Sequence, residues 1–330
     1  MSQEATVKAR GSRAKSILKR VAATLAVVAL LAWVLRGAWQ DAQQIEWAAL
    51  QLRPGLIALS CLTLGLTFVW HGLVWVGMMR ALGYPLPVRP GLRAAALSQL
   101  GNYLPGKIFI VLFRVQVAAR YGVPAVPVAG SVGLETLLRN LMATIVAALG
   151  LAQLGAGRNY LVALIGLIVV SVVFAQPRVF HAIGDFVLRK LGRPPMPGRL
   201  TGPQVFALLA CYLGYWALYT AGFYLLLEGT FGAQPSVIPW LATALGVSQI
   251  GSTLAVFAPV GLGAVEATIA GVLALTGAVP APYMVALVAR VWRTVSELAE
   301  IGAVMLLPVP APGVEGSDGS AGEDPAARGG

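Results

Sequence analysis

The sequence predicts an all-α polytopic membrane protein, and three observations carry that prediction. Hydrophobic residues make up 58% of the chain and charged residues only 11%. Mean hydropathy is +0.77. Apolar runs of membrane-spanning length recur from one end of the chain to the other. A globular domain carries about 25% charged residues on the surface it shows to water, and this chain cannot build such a surface, so lipid must solvate its outside. The same figures exclude a disordered chain. Two cysteines, Cys61 and Cys211, both inside apolar runs, exclude a disulfide framework and read as buried free thiols. The net charge of +11 does not point to nucleic acid. The cations cluster at segment ends, where they set topology and meet anionic lipid. His71 and His181 stand alone, so no metal-ligand spacing occurs and neither metal nor cofactor is expected.

Residues 1–20 form a basic tail with Lys8, Arg10, Arg13, Lys15, Lys19 and Arg20 against Glu4. The positive-inside rule places it in the cytoplasm. A first helix follows at 21–35. Arg36-Gly37-Ala38-Trp39 offers no small-x-small cleavage site, so the helix reads as an anchor rather than a signal peptide. Further spans read at 56–79, 126–154, 161–175, 204–227, 241–257 and 284–307. The loop between the first two spans has no net charge and belongs outside, as does the loop at 228–239. A Pro-rich loop between 175 and 204 carries Arg178, Arg189, Lys190, Arg193 and Arg199 against Asp185 and belongs inside. Residues 308–330, rich in Gly, Pro and acidic side chains, form a disordered cytoplasmic tail. The result is one transmembrane domain over 21–307, with about seven to eight transmembrane helices.

Two apolar segments are broken. The first, 94–117, is interrupted by Asn102, Pro105, Gly106 and Lys107. Reading it as re-entrant from the cytoplasmic side leaves every basic loop inside. The second, 241–275, is interrupted by Pro259, Gly261 and Gly263, and the piece after it is too short to cross ~30 Å of hydrocarbon. Either a hairpin or two crossings satisfies the topology there. The breaks resemble each other: Ser98-Gln99-Leu100-Gly101 parallels Ser248-Gln249-Ile250-Gly251, at an offset of about 150 residues. One copy is approached from inside and the other from outside, so repeat one (55–175) and repeat two (204–307) are related by inversion. Broken helices at corresponding positions of inverted repeats point to a transport site near the midplane. Freed backbone groups persist there only under protein or water, and restarting helices present N–H groups that favour an anion.

Ionisable side chains at membrane depth cost ~3 kcal/mol or more unless paired or wet. Lys107, Arg114, Glu135, Arg139, Glu266, Arg290, Arg293, Glu297 and Glu300 lie in apolar segments. Glu135–Arg139 and Arg293–Glu297 are spaced as one-face helical pairs with a structural role. Lys107, Arg114 and Arg290 are expected to meet an anionic head group. Together with Ser98, Gln99, Asn102, Pro105, Gly106, Ser248, Gln249, Pro259, Gly261 and Gly263, these groups apart from Glu300 are the candidate substrate-binding set.

At these residues the chain resembles the flippase-like transmembrane region of the lysylphosphatidylglycerol synthase family. One signature is Asn102 with Leu104-Pro105-Gly106-Lys107 and, further on, Arg114. The other is the turn Pro259, Gly261 and Gly263 leading to Glu266. The chain departs from the family pattern in three places: Ile108-Phe109 stand where an acidic residue is usual, Thr136 follows Glu135 in place of Arg, and Val260 replaces a common Gly. The resemblance implies movement of anionic or polyprenyl-linked lipids across a bacterial inner membrane. No polar stretch here is long enough for the soluble aminoacyl-transferring domain of full synthases. No nucleotide-binding or catalytic motif is found, so a flippase is expected. The alternatives are a non-catalytic partner of a lipid-modifying or glycosyl-transferring enzyme, or an enzyme acting on a lipid phosphate.

Overall fold

In hydrocarbon every backbone N–H and C=O needs a partner, and a helix supplies it within one segment. The computed structural model describes residues 32, 35–36, 39–43, 52–103, 108–155, 157–254 and 263–308, and these contain helix and turn but no strand. The basic tail, nearly all of the expected first helix, the C-terminal tail beyond 308, and residues 104–107 and 255–262 at the two breaks lie outside the described residues.

The helices are α1 (Pro54–Ala81), α2 (Val88–Leu100), α3 (Ile108–Ala119), α4 (Ala125–Gln153), α5 (Arg158–Ala175), α6 (Pro177–Lys190), α7 (Gly202–Phe231), α8 (Ile238–Leu254), α9 (Ala264–Thr276) and α10 (Pro282–Leu306), with 3-10 turns at Gly101–Tyr103 and Pro235–Val237. α1, α4, α5, α7 and α8 with its preceding turn are long and apolar enough to cross a bilayer. α10, at 25 residues, has the length as well. α7 starts on a capping box, in which Thr201 and Gln204 satisfy each other's backbone N–H, and stops at Gly232 in the left-handed conformation.

Contacts between chain ends give the bundle two distinct faces. At one face Gly198 N–H donates to Leu82 O, joining the end of α1 to the start of α7, and Arg93 caps the end of α10 through Met305 O at 2.6 Å. Arg80, Arg89, Arg93, Arg120 and the basic residues of α6 and its following loop belong to this face. At the opposite face Arg53 N–H donates to Gly229 O, and the Asp41 carboxylate accepts from the N–H groups of Tyr283 and Met284 at the start of α10.

The two broken segments are both helical hairpins. α2 packs on α3 and α8 on α9, and the return arms, at 12 and 13 residues, reach only about 20 Å. α2 begins at the basic face, beside the end of α1. α8 and α9 have their feet at the other face, between the end of α7 and the start of α10. The hairpins therefore enter from opposite ends, and α8 and α9 run antiparallel, as both readings of the second break require. Equivalent glycines sit where the arms touch: a Cβ on Gly101 would lie 2.5 Å from Ile110 N, and one on Gly251 3.3 Å from Thr268 Cγ2. Equivalent serines bond alike, Ser98 Oγ to Ala95 O at 2.6 Å and Ser248 Oγ to Leu245 O at 2.8 Å.

The expected Pro-rich loop at 175–204 needs correction. It contains α6, a strongly amphipathic helix whose apolar face is Phe180, Ile183, Gly184, Val187 and Leu191. The i, i+3, i+4, i+7 spacing that builds it was present in the sequence; the surrounding prolines and cations obscured it. The return loop is fastened to α6 by Met196 N–H on Asp185 Oδ1 and by Leu200 N–H on His181 Nε2 at 2.8 Å.

Two outcomes follow from these contacts. Gly101→Ala drives a methyl into the backbone at the start of α3, and should cost about 1–3 kcal/mol, read as a lower unfolding midpoint of the detergent-purified protein; an unchanged midpoint would show that the arms do not meet there. Burial, followed by the Arg199 charge, holds the His181 imidazole below its usual 6.5, with Asp185 opposing. The unfolded chain therefore takes up the proton first as pH falls below 6.5, so this anchor is complete above that pH and weakens beneath it. Amide exchange at Leu200, corrected for intrinsic rates, should accelerate on acidification, and His181→Gln should remove the pH dependence.

Candidate functional site

The hairpins are tied down by buried charge. Arg114 on α3 is 2% exposed and spreads its guanidinium across Glu135 on α4, Nη1 to Oε2 at 2.5 Å and Nη2 to Oε1 at 3.2 Å. Its Nε donates to Ser98 Oγ on α2 at 3.0 Å, and its planar head lies 4.6 Å over the Trp75 ring of α1. His71 Nε2, also from α1, approaches Glu135 Oε1 at 3.0 Å. Four helices thus close on one ion pair, and the two-pronged geometry suits arginine, whose fixed fork matches a carboxylate.

Repeat two has the counterpart with the charges exchanged. Glu266 on α9 is buried and accepts from Arg290 Nη1 on α10 at 2.8 Å and from Gly263 N–H at 2.8 Å. Gly263 holds φ at +80°, a conformation open to glycine, which lets α9 start directly on its own third-residue carboxylate. Arg114 and Glu266 occupy equivalent return arms, and Glu135 and Arg290 equivalent long helices, each about 150 residues apart.

Two expected pairings are corrected. Glu135 does not take Arg139 on its own helix; it is taken by Arg114 and His71 from neighbouring helices. Arg293 and Glu297 form no ion pair within 4.0 Å, and Glu297 Oε2 instead accepts from Tyr103 OH at 3.0 Å. In both cases the partner comes from another element of the bundle rather than from the next turn of the same helix. The expectation that Arg114 meets a head group is corrected too, since its three nitrogens are already engaged. Arg290 is taken up by Glu266 and remains 18% exposed.

What the pairs leave over gathers at the centre. Arg139 and Arg293, again about 150 residues apart and on equivalent helices, have no carboxylate within 4.0 Å among the described residues, and the Nε of each is buried without a partner. Trp216 of α7 donates its indole N–H to the Arg139 carbonyl oxygen at 3.2 Å. Tyr212, Tyr215, Trp216 and Tyr219 form an aromatic wall on α7, and Trp292 packs beside Tyr219. A cavity of about 20 Å³, room for a water or so, opens against Tyr219, Glu266, Arg290 and Arg293.

Each hairpin also reaches into the opposite repeat. Tyr103, at the tip of the first, bonds Glu297 of α10. At the second, Asn140 Oδ1 on α4 accepts from Gln249 Nε2 at 2.9 Å and Thr253 Oγ1 at 3.3 Å. Tyr103 and Thr253 are equivalent positions. Of the other candidates, Ser98 and Ser248 are buried in hairpin packing, whereas Gln99 and Asn102 are half-buried near the first tip. Pro105, Gly106, Lys107, Pro259 and Gly261 lie outside the described residues. Sequence reasoning missed His71, Trp75, Tyr103 and Asn140. It also missed the α7 aromatics, although their i, i+3, i+4, i+7 stripe and the lone intramembrane His71 were visible signals.

Glu135→Gln leaves the Arg114 charge buried and uncompensated, and should cost about 3–5 kcal/mol, seen as a large fall in the unfolding midpoint in detergent. Arg114→Met combined with Glu135→Leu should recover most of that loss; no recovery would deny that the two residues act as a pair.

No individual curated protein matches the chain. A family model, described as the lysylphosphatidylglycerol synthase TM region, matches residues 21–296. That match takes in both hairpins, both ion pairs and the two central arginines, and the chain is therefore a multi-pass membrane protein belonging to the lysylphosphatidylglycerol synthase transmembrane-region family.

Proposed function

We propose that the protein moves a lipid with an anionic head group across a bacterial inner membrane, and that Arg139 and Arg293 receive the head group. The observation that carries this reading is that Arg139 and Arg293, half-buried on equivalent helices, each keep a buried Nε without a hydrogen-bond partner and have no carboxylate within 4.0 Å among the described residues. Such charges are expensive at membrane depth and mark a polar path when they persist. A phosphate would supply the missing acceptors, and charge-assisted bonds of this kind contribute about 1.5–3 kcal/mol each. The tails of the lipid would remain in the bilayer.

The inverted hairpins support the same reading. A cavity of about 20 Å³ cannot hold a phosphate head group, so passage requires the two repeats to part. The contacts that must rearrange are the polar ones of Tyr103 with Glu297 and of Asn140 with Gln249 and Thr253, together with the packing of α1 on α7 and of α4 on α8. The Arg114–Glu135 and Glu266–Arg290 pairs lie within a repeat and would travel as rigid parts of it. The positive-inside rule puts the basic face, with the end of α10, in the cytoplasm.

The test is reconstitution into proteoliposomes with fluorescently labelled phosphatidylglycerol, following its accessibility to an external quencher. Arg139→Gln and Arg293→Gln should each slow exchange at least about tenfold, the change expected for ~1.4 kcal/mol. Their unfolding midpoints should stay close to that of the unmodified protein. Unchanged exchange in both variants would overturn the assignment.

A further inference from the structure

We propose a second lipid site, separate from the central arginines: the cleft between α4, α5 and α6 holds one acyl chain of an anionic phospholipid whose phosphate rests on the cations of α6 and its following loop. The cleft measures about 480 Å³, within the range of small-molecule sites, about 300–1,000 Å³. Its lining is apolar throughout, with Leu134 and Leu137 from α4, Phe174 from α5, and Phe180, Ile183 and Val187 from α6.

The α4 wall is opened by two glycines. A Cβ on Gly133 would meet nothing within 4 Å, and one on Gly130 would only graze Phe180 at 3.8 Å. Glycine in a helix interior costs about 1 kcal/mol relative to alanine, so both residues give up helix stability and leave a hollow that alanine or leucine would begin to fill. The remaining wall is held in place by polar contacts. Asp185 accepts from Met196 N–H at 3.2 Å and pairs with Arg199 at 2.7 Å, which folds the return loop over α6 and seats Met196 against Gly184.

Charge identifies the occupant. Asp185, the only acidic residue between 176 and 203, is committed to Arg199. Arg178, Arg189, Lys190 and Arg193 are exposed and have no ion pair within 4.0 Å among the described residues. Ile183, Phe186 and Leu191 stand exposed beside them, at 47%, 59% and 60%. An amphipathic helix with a basic polar face and an apolar face of this kind lies in the membrane interface, and its affinity rises with anionic lipid. The cleft runs inward from that helix, so a lipid whose phosphate sits on the cations has a chain positioned to enter it.

The test is photocrosslinking of the purified protein in nanodiscs, comparing phosphatidylglycerol and phosphatidylcholine that carry a diazirine at mid-chain. Labelling of α4 and α6 peptides should be at least about fivefold stronger with phosphatidylglycerol, a preference of ~1 kcal/mol. Gly133→Leu should reduce it to background. Gly133→Ala, which adds one carbon to open space, should retain it. Arg189→Gln, Lys190→Gln and Arg193→Gln together should bring phosphatidylglycerol down to the phosphatidylcholine level. Arg139→Gln should leave the labelling unchanged, which separates this site from the translocation reading. Equal labelling by the two lipids, or undiminished labelling in Gly133→Leu, overturns the proposal.

Discussion

A charge placed in hydrocarbon must be paired or wetted, and the bidentate hold of Arg114 on Glu135 is where this structure meets that requirement most completely. A return arm of 12 residues cannot span the bilayer, so it has no interfacial anchor at its far end. Its position is set instead by an ion pair that recruits α1 through His71 and Trp75, α2 through Ser98 and α4 through Glu135. Loss of either partner would leave a buried charge with no water within reach. The second hairpin solves the same problem with the signs reversed, through Glu266 and Arg290. In each repeat the pair joins the return arm to the long helix that follows, so each repeat is cross-braced within itself.

Once those pairs are made, the remaining charges are distributed unevenly. Two carboxylates of α10, Glu297 and Glu300, lie near the first hairpin and the α10 core. Two arginines, 139 and 293, have no carboxylate within 4.0 Å among the described residues. The cross-repeat contacts of Tyr103 and Asn140 are single neutral or singly charged hydrogen bonds. The ion pairs brace each repeat internally, while the packing of α1 on α7 and of α4 on α8 joins one repeat to the other.

The amphipathic α6 shows how local context hides a periodic signal. Its apolar positions follow helical spacing from Phe180 to Leu191, yet Pro177, Pro194 and Pro195 flank it and cations crowd its polar face, so it reads as a loop if hydropathy alone is followed. The long spans carried no such ambiguity. α1, α4, α5, α7 and α10 lie within a few residues of where their apolar runs placed them, because a stretch of about 20 apolar residues has one stable form in a bilayer. The re-entrant first break was legible for a different reason: only that topology left every basic loop on one side.

By itself the sequence determined the membrane class, the spans, the two interruptions and their duplication, since these depend on composition, periodicity and the sign of loop charge along the chain. It also showed which ionisable residues sit at membrane depth. Only the tertiary structure decided their partners. Spacing on one helix favoured Glu135 with Arg139 and Arg293 with Glu297, but the groups that take the carboxylates, Arg114, His71 and Tyr103, arrive from other elements packed alongside. Hydrogen-bond and ion-pair geometry is decided by the packing of helices against one another, and that packing left Arg139 and Arg293 without the same-helix carboxylates that spacing offered them.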